Sequence, residues 1–234
     1  MKKKMWKVIP VLFTSAVLTS CATTMGNSAN ETLNVRSAPD QATYAQSPSS
    51  YVDVKLPRGI ELQIPEGWWV IGADLNRAIE TMIDRSADLR GLEPMRARTT
   101  NLITANSMPR STYASVRVDS IIPPSISPSE ATSMRGADMR EHENLLGQFL
   151  QADGYELLDF PSSRIEKISD HPVLITEYRR SGPKGPVLVQ INQIFTPGQE
   201  ISFCLSYRES ERALWKSAVD KIRKSILIKT NWKN

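Results

Sequence analysis

The chain has 234 residues, 40% of them hydrophobic and 23% charged, which is enough for a sizeable core, and it carries 29 basic against 25 acidic side chains. Residues 1–20 hold four of the lysines and no acid, so the rest of the chain balances at 25 against 25. That balance excludes the broad basic surface of a nucleic-acid-binding domain, and two cysteines exclude a disulfide framework, so the fold is expected to hold by its core.

At the N-terminus Lys2, Lys3, Lys4 and Lys7 precede the apolar run from Val8 to Leu18. A positive segment followed by a short apolar core and small residues has the form of an export signal. The run falls short of the roughly 20 apolar residues that a permanent membrane helix needs. The four residues that end it, Leu18-Thr19-Ser20-Cys21, resemble the lipobox of bacterial lipoproteins. The resemblance implies that residues 1–20 are a signal peptide removed on export and that Cys21 carries the lipid, palmitate among its acyl chains. The membrane is then a partner through those chains, and two or three of them hold a protein stably where one does not. Ala22, where an aspartate would retain such a protein at the inner membrane, implies the outer membrane facing the periplasm.

Residues 22–50 are poor in large apolar side chains and rich in Ser, Thr, Ala, Asn, Gln and Pro. Such a segment cannot bury enough surface to offset its ordering entropy, so residues 21–50 are read as an acylated N-terminus and disordered tether, and 51–234 as a single globular domain. Within it, Val52 to Leu56 and Ile60 to Ile64 alternate apolar and polar around Pro57-Arg58-Gly59, which predicts a hairpin. Pro65-Glu66-Gly67 turns the chain into Trp68-Trp69, whose side chains must point to opposite faces, one into the core and one to the rim.

From Asp74 to Arg90 the apolar period becomes helical, with Gly91 placed as a stop. A short strand around 100–105 and another over 113–122 follow. Ser127, Pro128 and Glu130 have the spacing of a capping box with a first-turn proline, predicting one long helix to about Ala152 that stops at Gly154. Short strands are expected at 155–160 and 164–168, then a three-stranded antiparallel meander over 172–180, 187–196 and 201–208, joined by Gly/Pro turns. Leu214, Trp215, Ala218, Val219, Ile222 and Ile226 stripe a final helix.

Taken together, the hairpin running into Ile64-Pro65-Glu66-Gly67-Trp68, the central helix, Ile168-Ser169-Asp170-His171-Pro172-Val173 before the meander, and the last helix leading to Ser225-Ile226-Leu227-Ile228 resemble the PsbP-like fold. That group includes extrinsic photosystem II proteins and small bacterial envelope lipoproteins of the DcrB type. The resemblance implies an α+β domain, an antiparallel sheet flanked by helices in an α/β/α sandwich, with a binding or assembly role.

Gly-x-Ser-x-Gly, His-Glu-x-x-His and Cys-x-x-Cys are missing, so no catalytic residue, metal ligand or cofactor is assigned. His171 is expected in a turn. Cys204 points away from Ile201, Phe203, Leu205 and Tyr207 on its strand and is expected as a buried, unreactive side chain beneath a helix. The candidate polar site is Arg135, Asp138 and His142: at 100° per residue Asp138 and His142 sit one turn apart, a carboxylate beside an imidazole. The chain is therefore read as a non-enzymatic binding or assembly accessory whose partner is an envelope protein or small ligand. The alternatives are an envelope hydrolase using Asp138 and His142, or a surface-displayed binding lipoprotein.

Overall fold

The computed structural model describes residues 47–72 and 99–229. The expected signal peptide, Cys21, the tether up to residue 46 and the helix from Asp74 to Arg90 lie outside them.

The first hairpin forms as its alternation predicts, with β1 (Tyr51–Leu56) antiparallel to β2 (Ile60–Pro65). The turn is a single 3-10 turn in which Arg58 and Gly59 both take positive φ, 68° and 72°. Ile60, Leu62 and Ile64 point inward and are buried. A third strand, β10 (Leu227–Ile228), pairs with the other side of β2. It follows the last helix directly, because the Ser225 amide bonds back to Lys221 and Ile222 while its hydroxyl accepts from the Gln63 amide at 2.8 Å.

The main sheet has seven strands in the order β3-β4-β5-β9-β8-β7-β6, antiparallel throughout. Its members are β3 (Trp69–Gly72), β4 (Thr99–Asn106), β5 (Ala114–Ile121), β6 (Leu157–Ile168), β7 (His171–Arg180), β8 (Val187–Phe195) and β9 (Glu200–Arg208). The meander expected from the Gly/Pro turns is thus β7-β8-β9. The two short strands expected before it are one irregular strand, β6, whose register against β7 shifts between Leu157 and Ser162, around Pro161. A proline cannot donate to the ladder, so it sits where pairing is interrupted on this edge strand. Ser169 and Asp170, with φ of 48° and 65°, make the tight turn that brings His171 opposite Ile168.

Helices cover both faces, so the α+β class with an antiparallel sheet between helices stands. On one face Val116, Val118, Phe203, Leu205, Val173 and Ile175 pack with Trp215, Ala218, Val219 and Ile222 of α3 (Arg212–Lys224) and with the inner row of β2. On the other, Leu146 and Leu150 of α2 (Gly136–Ala152) cover Tyr178, Val189, Ile191 and Cys204, and Ala131 of α1 (Pro128–Ser133) covers Leu174 and Phe195. The capping box at Ser127 and Glu130 is present.

The one long helix expected over 128–152 is instead two. Met134 and Arg135 are extended, with ψ of 137° and 174°, and the Arg135 amide donates to the Asp138 carboxylate at 2.8 Å. Asp138, the third residue of the second helix, thereby supports its start at Gly136, a residue that weakens helical continuity. Helix α2 ends as expected, with Gly154 at φ 84° and the Tyr155 amide bonded to Leu150. Among the described residues no helix is long and apolar enough to cross a membrane.

The tryptophan pair divides as the strand geometry requires. Trp68 is buried edge-on against Trp215, ring centroids 5.7 Å apart at 79°, whereas Trp69 is exposed. The Trp215 indole donates at 3.1 Å to Glu211, whose same oxygen accepts the Tyr113 amide at 2.7 Å. This ring therefore joins helix, sheet and the strand that follows the first hairpin. Trp215→Ala is expected to lower unfolding free energy by about 3–5 kcal/mol in urea denaturation; a loss under about 1 kcal/mol would show that the α3 face is not a core contact.

Candidate functional site

Helix α2 points His142 at the sheet, where it is 6% exposed. Its Nε2 lies 3.2 Å from Thr176 Oγ1 on β7, and Thr176 Oγ1 lies 2.9 Å from Ser163 Oγ on β6. These two residues are a cross-strand pair, and the Ser163 amide donates at 2.5 Å to Glu143, next along the helix. The arrangement pins α2 to β6 and β7. Burial disfavours the imidazolium and lowers the His142 pKa to about 4, so the ring is neutral at pH 7. Thr176 is fully buried and Ser163 half-buried.

The other two residues of the expected polar site lie a turn away and do different work. Asp138 sits in the first turn of α2, where its carboxylate takes the Arg135 amide. The exposed Arg135 guanidinium turns back to the carbonyls of Met134 and Thr132, at 3.0 and 3.4 Å. The structure thus brings Arg135 and Asp138 together as a helix start and directs His142 to Thr176. One-turn spacing put the pair on one face, but a first-turn carboxylate faces unpaired amides that compete for it.

A buried polar layer on the same face of the sheet went unseen in the sequence. Asp119 is wholly buried and takes both Arg117 Nε contacts, at 2.9 and 2.7 Å, with Asn101 Nδ2 at 2.8 Å. Beside it, buried Glu200 accepts from Gln193 Nε2 at 2.9 Å, from the Ser125 amide at 3.2 Å and from the Ser125 hydroxyl. Ser115 and Ser206 bond to each other at 2.9 Å. The signal is the alternation Ala-Ser-Val-Arg-Val-Asp-Ser in β5, which reads as one wet face unless a second layer covers it. Cys204 lies buried in this row under α2, where its place on the strand puts it. His171 follows its turn as expected. Among the described residues no three His, Cys, Asp or Glu side chains are grouped to hold a metal ion.

Exposed apolar side chains occur at several places among the described residues, one group of them at the short edge strand β3. Trp69 and Val70 are 40% and 45% exposed although they point to opposite faces, and Met108, two residues past the Asn106 that pairs with Trp69, is 44% exposed. The Arg110 guanidinium stands 5.6 Å from the centre of the Trp69 ring. An uncovered tryptophan with apolar neighbours and a cation is suited to contact with another molecule.

No family model matches the chain, and no curated protein does. Among solved structures it is similar to the cyanobacterial PsbP, CyanoP, of Synechocystis, with 14% identity over 82% of this chain and 98% of that one and a TM-score of 0.49. It is also similar to PA94 of Pseudomonas aeruginosa, a protein of unknown function, at 10% identity, 77% and 99% coverage and TM-score 0.37. LpqN of Mycobacterium tuberculosis, described as involved in cell envelope biogenesis, aligns at 10% identity, 76% and 89% coverage and TM-score 0.39. Scores this low carry no argument about activity, and the fold class rests on the strand order and helix placement above.

The neutral, buried His142 has a pH signature. Its folded pKa lies below its unfolded value of 6.5, so between pH 6.5 and about 4 the unfolded chain binds a proton that the folded chain refuses. Stability is unaffected by this group above pH 6.5 and falls as the pH drops through the window, by on the order of 3 kcal/mol in all. His142→Ala should cost about 1–3 kcal/mol at pH 7.5 and flatten the curve below pH 6.5. Parallel wild-type and variant curves, from urea denaturation at each pH, would contradict the buried-neutral assignment.

Proposed function

We propose that the chain is a lipid-anchored lipoprotein of the bacterial envelope whose PsbP-like domain acts as a non-enzymatic binding or assembly accessory. In this reading Cys21 carries the acyl chains, the anchor is in the outer membrane facing the periplasm, and the partner is an envelope protein. The anchor is supported by the order of lysines, apolar run and Leu18-Thr19-Ser20-Cys21, and the PsbP-like assignment by the sequence patterns quoted above.

The observation that carries the binding role is the contrast between the two kinds of polar and aromatic groups. His142, Asp138, Asp119 and Glu200 each have protein partners that account for their placement, while Trp69, Val70 and Met108 stand exposed at a sheet edge. An interface is built from such aromatic and methionine side chains. The tie between Asp138 and the helix start weighs against a hydrolase built on Asp138 and His142.

Two measurements test this. Cys21→Ala should move the protein from the membrane pellet to the soluble or unprocessed fraction, and mass spectrometry showing an unmodified Cys21 in the mature protein would end the anchored reading. A photo-crosslinking amino acid placed at Met108 should give a discrete protein adduct in living cells, while the same group at the exposed Lys184 gives none. Equal labelling from both positions, or none from Met108, would remove the β3 edge as the contact surface.

A further inference from the structure

The outer face of α3 is not used by the core. Arg212, Lys216, Ser217, Lys221 and Lys224 share it and are exposed, with Asp220 among them. Asp220 is paired with Lys216 at 2.5 Å, so the face carries a net charge of +3 along a stretch of about 18 Å. Arg223, on the same helix, shows the contrast: it turns to the sheet and is held by Glu166 and Asn192. The helix dipole accounts for Lys221 and Lys224 in the last turn but not for Arg212, which stands in a first turn without an acidic residue.

This face adjoins the point where the chain enters the domain. The Ser47 hydroxyl donates to the Leu214 carbonyl at 3.2 Å, and Lys221 Nζ lies 3.6 Å from the centre of the Tyr51 ring. Only the 25 residues from Ala22 to Gln46 separate Ser47 from the lipid-bearing position. Even fully extended, a chain of that length spans no more than about 90 Å, so the anchored reading keeps this face near the membrane. Resting on the anchored reading of Cys21, we propose that the outer face of α3 docks on the anionic phospholipid surface of the membrane that holds the anchor, turning the domain to one fixed side.

The charge explains the choice of surface. A basic residue close to an anionic leaflet strengthens association by about fivefold, and tethering supplies a high local concentration of the two surfaces. Residues 21–234, this face included, are neutral overall, so it is the placement of +3 on one side, and not bulk charge, that sets the orientation.

Amine footprinting of the acylated protein reconstituted into vesicles tests the proposal. On vesicles containing phosphatidylglycerol, acetylation of Lys216, Lys221 and Lys224 by a membrane-impermeant reagent should slow at least about threefold relative to phosphatidylcholine alone. The effect should vanish in 0.5 M salt, roughly where the screening length drops below 5 Å, and Lys184 should react equally on both. The double variant Lys216→Glu and Lys224→Glu should lose the protection of Lys221. Equal reactivity on both vesicles would overturn the docking, as would protection seen in native envelopes but not on phosphatidylglycerol, which would assign the face to a protein. Failure of the protein to float with phosphatidylcholine vesicles would instead strike the anchor itself.

Discussion

The structure depends on covering the main sheet from both sides at β9. Every residue from Glu200 to Tyr207 is buried, although antiparallel sheets commonly leave one face to water. The strand meets this constraint by alternating size: Ile201, Phe203, Leu205 and Tyr207 fill the α3 side, while Ser202, Cys204 and Ser206 allow the second layer to approach. Once the second face is closed, each polar group on it needs a partner, because an unpaired buried polar group costs about 1–3 kcal/mol. The contacts of Arg117 and Asn101 with Asp119, of Gln193 and Ser125 with Glu200, and of His142 with Thr176 follow from that requirement.

This is why a polar cluster here is a poor guide to chemistry. His142 has a neutral ring because it is buried against a hydroxyl, and that hydroxyl belongs to a cross-strand pair. A general base needs a pKa near the working pH and a route for substrate. Among the described residues, the exposed groups that the fold does not use include the short β3 edge with Trp69 and the charged outer side of α3. They differ in character, one aromatic and apolar, the other cationic, which suits a protein contact and a lipid contact respectively.

Elements specified by local chemistry were legible in the sequence. The β1–β2 hairpin, the capping box at Ser127, the Gly154 stop, the β7–β8–β9 meander and the opposite fates of Trp68 and Trp69 all follow from spacing and turn residues. What escaped were features decided by competition or by distant partners. The break at Arg135 accompanies the Asp138 carboxylate taking the Arg135 amide at the start of a new helix, within a continuous helical period. Strand β10 has only two residues and exists through its pairing with β2. The polar row on β5 and β9 looks solvent-facing in one dimension and is buried only by the layer that covers it. The candidate site was legible as residues, since Asp138 and His142 do share a helix, whereas the Arg135 amide on Asp138 and Thr176 beside His142 were not.

The proposed function has the protein work through its exposed surface and not through its buried polar groups. Complementation of a deletion strain, read beside thermal melts of the purified variants, tests it most directly. The account predicts that Asp138→Asn and Thr176→Val complement once expression compensates any lost stability, whereas Trp69→Ser melts like the wild type and fails to complement. Full complementation by Trp69→Ser together with failure of a stably folded Asp138→Asn would contradict it.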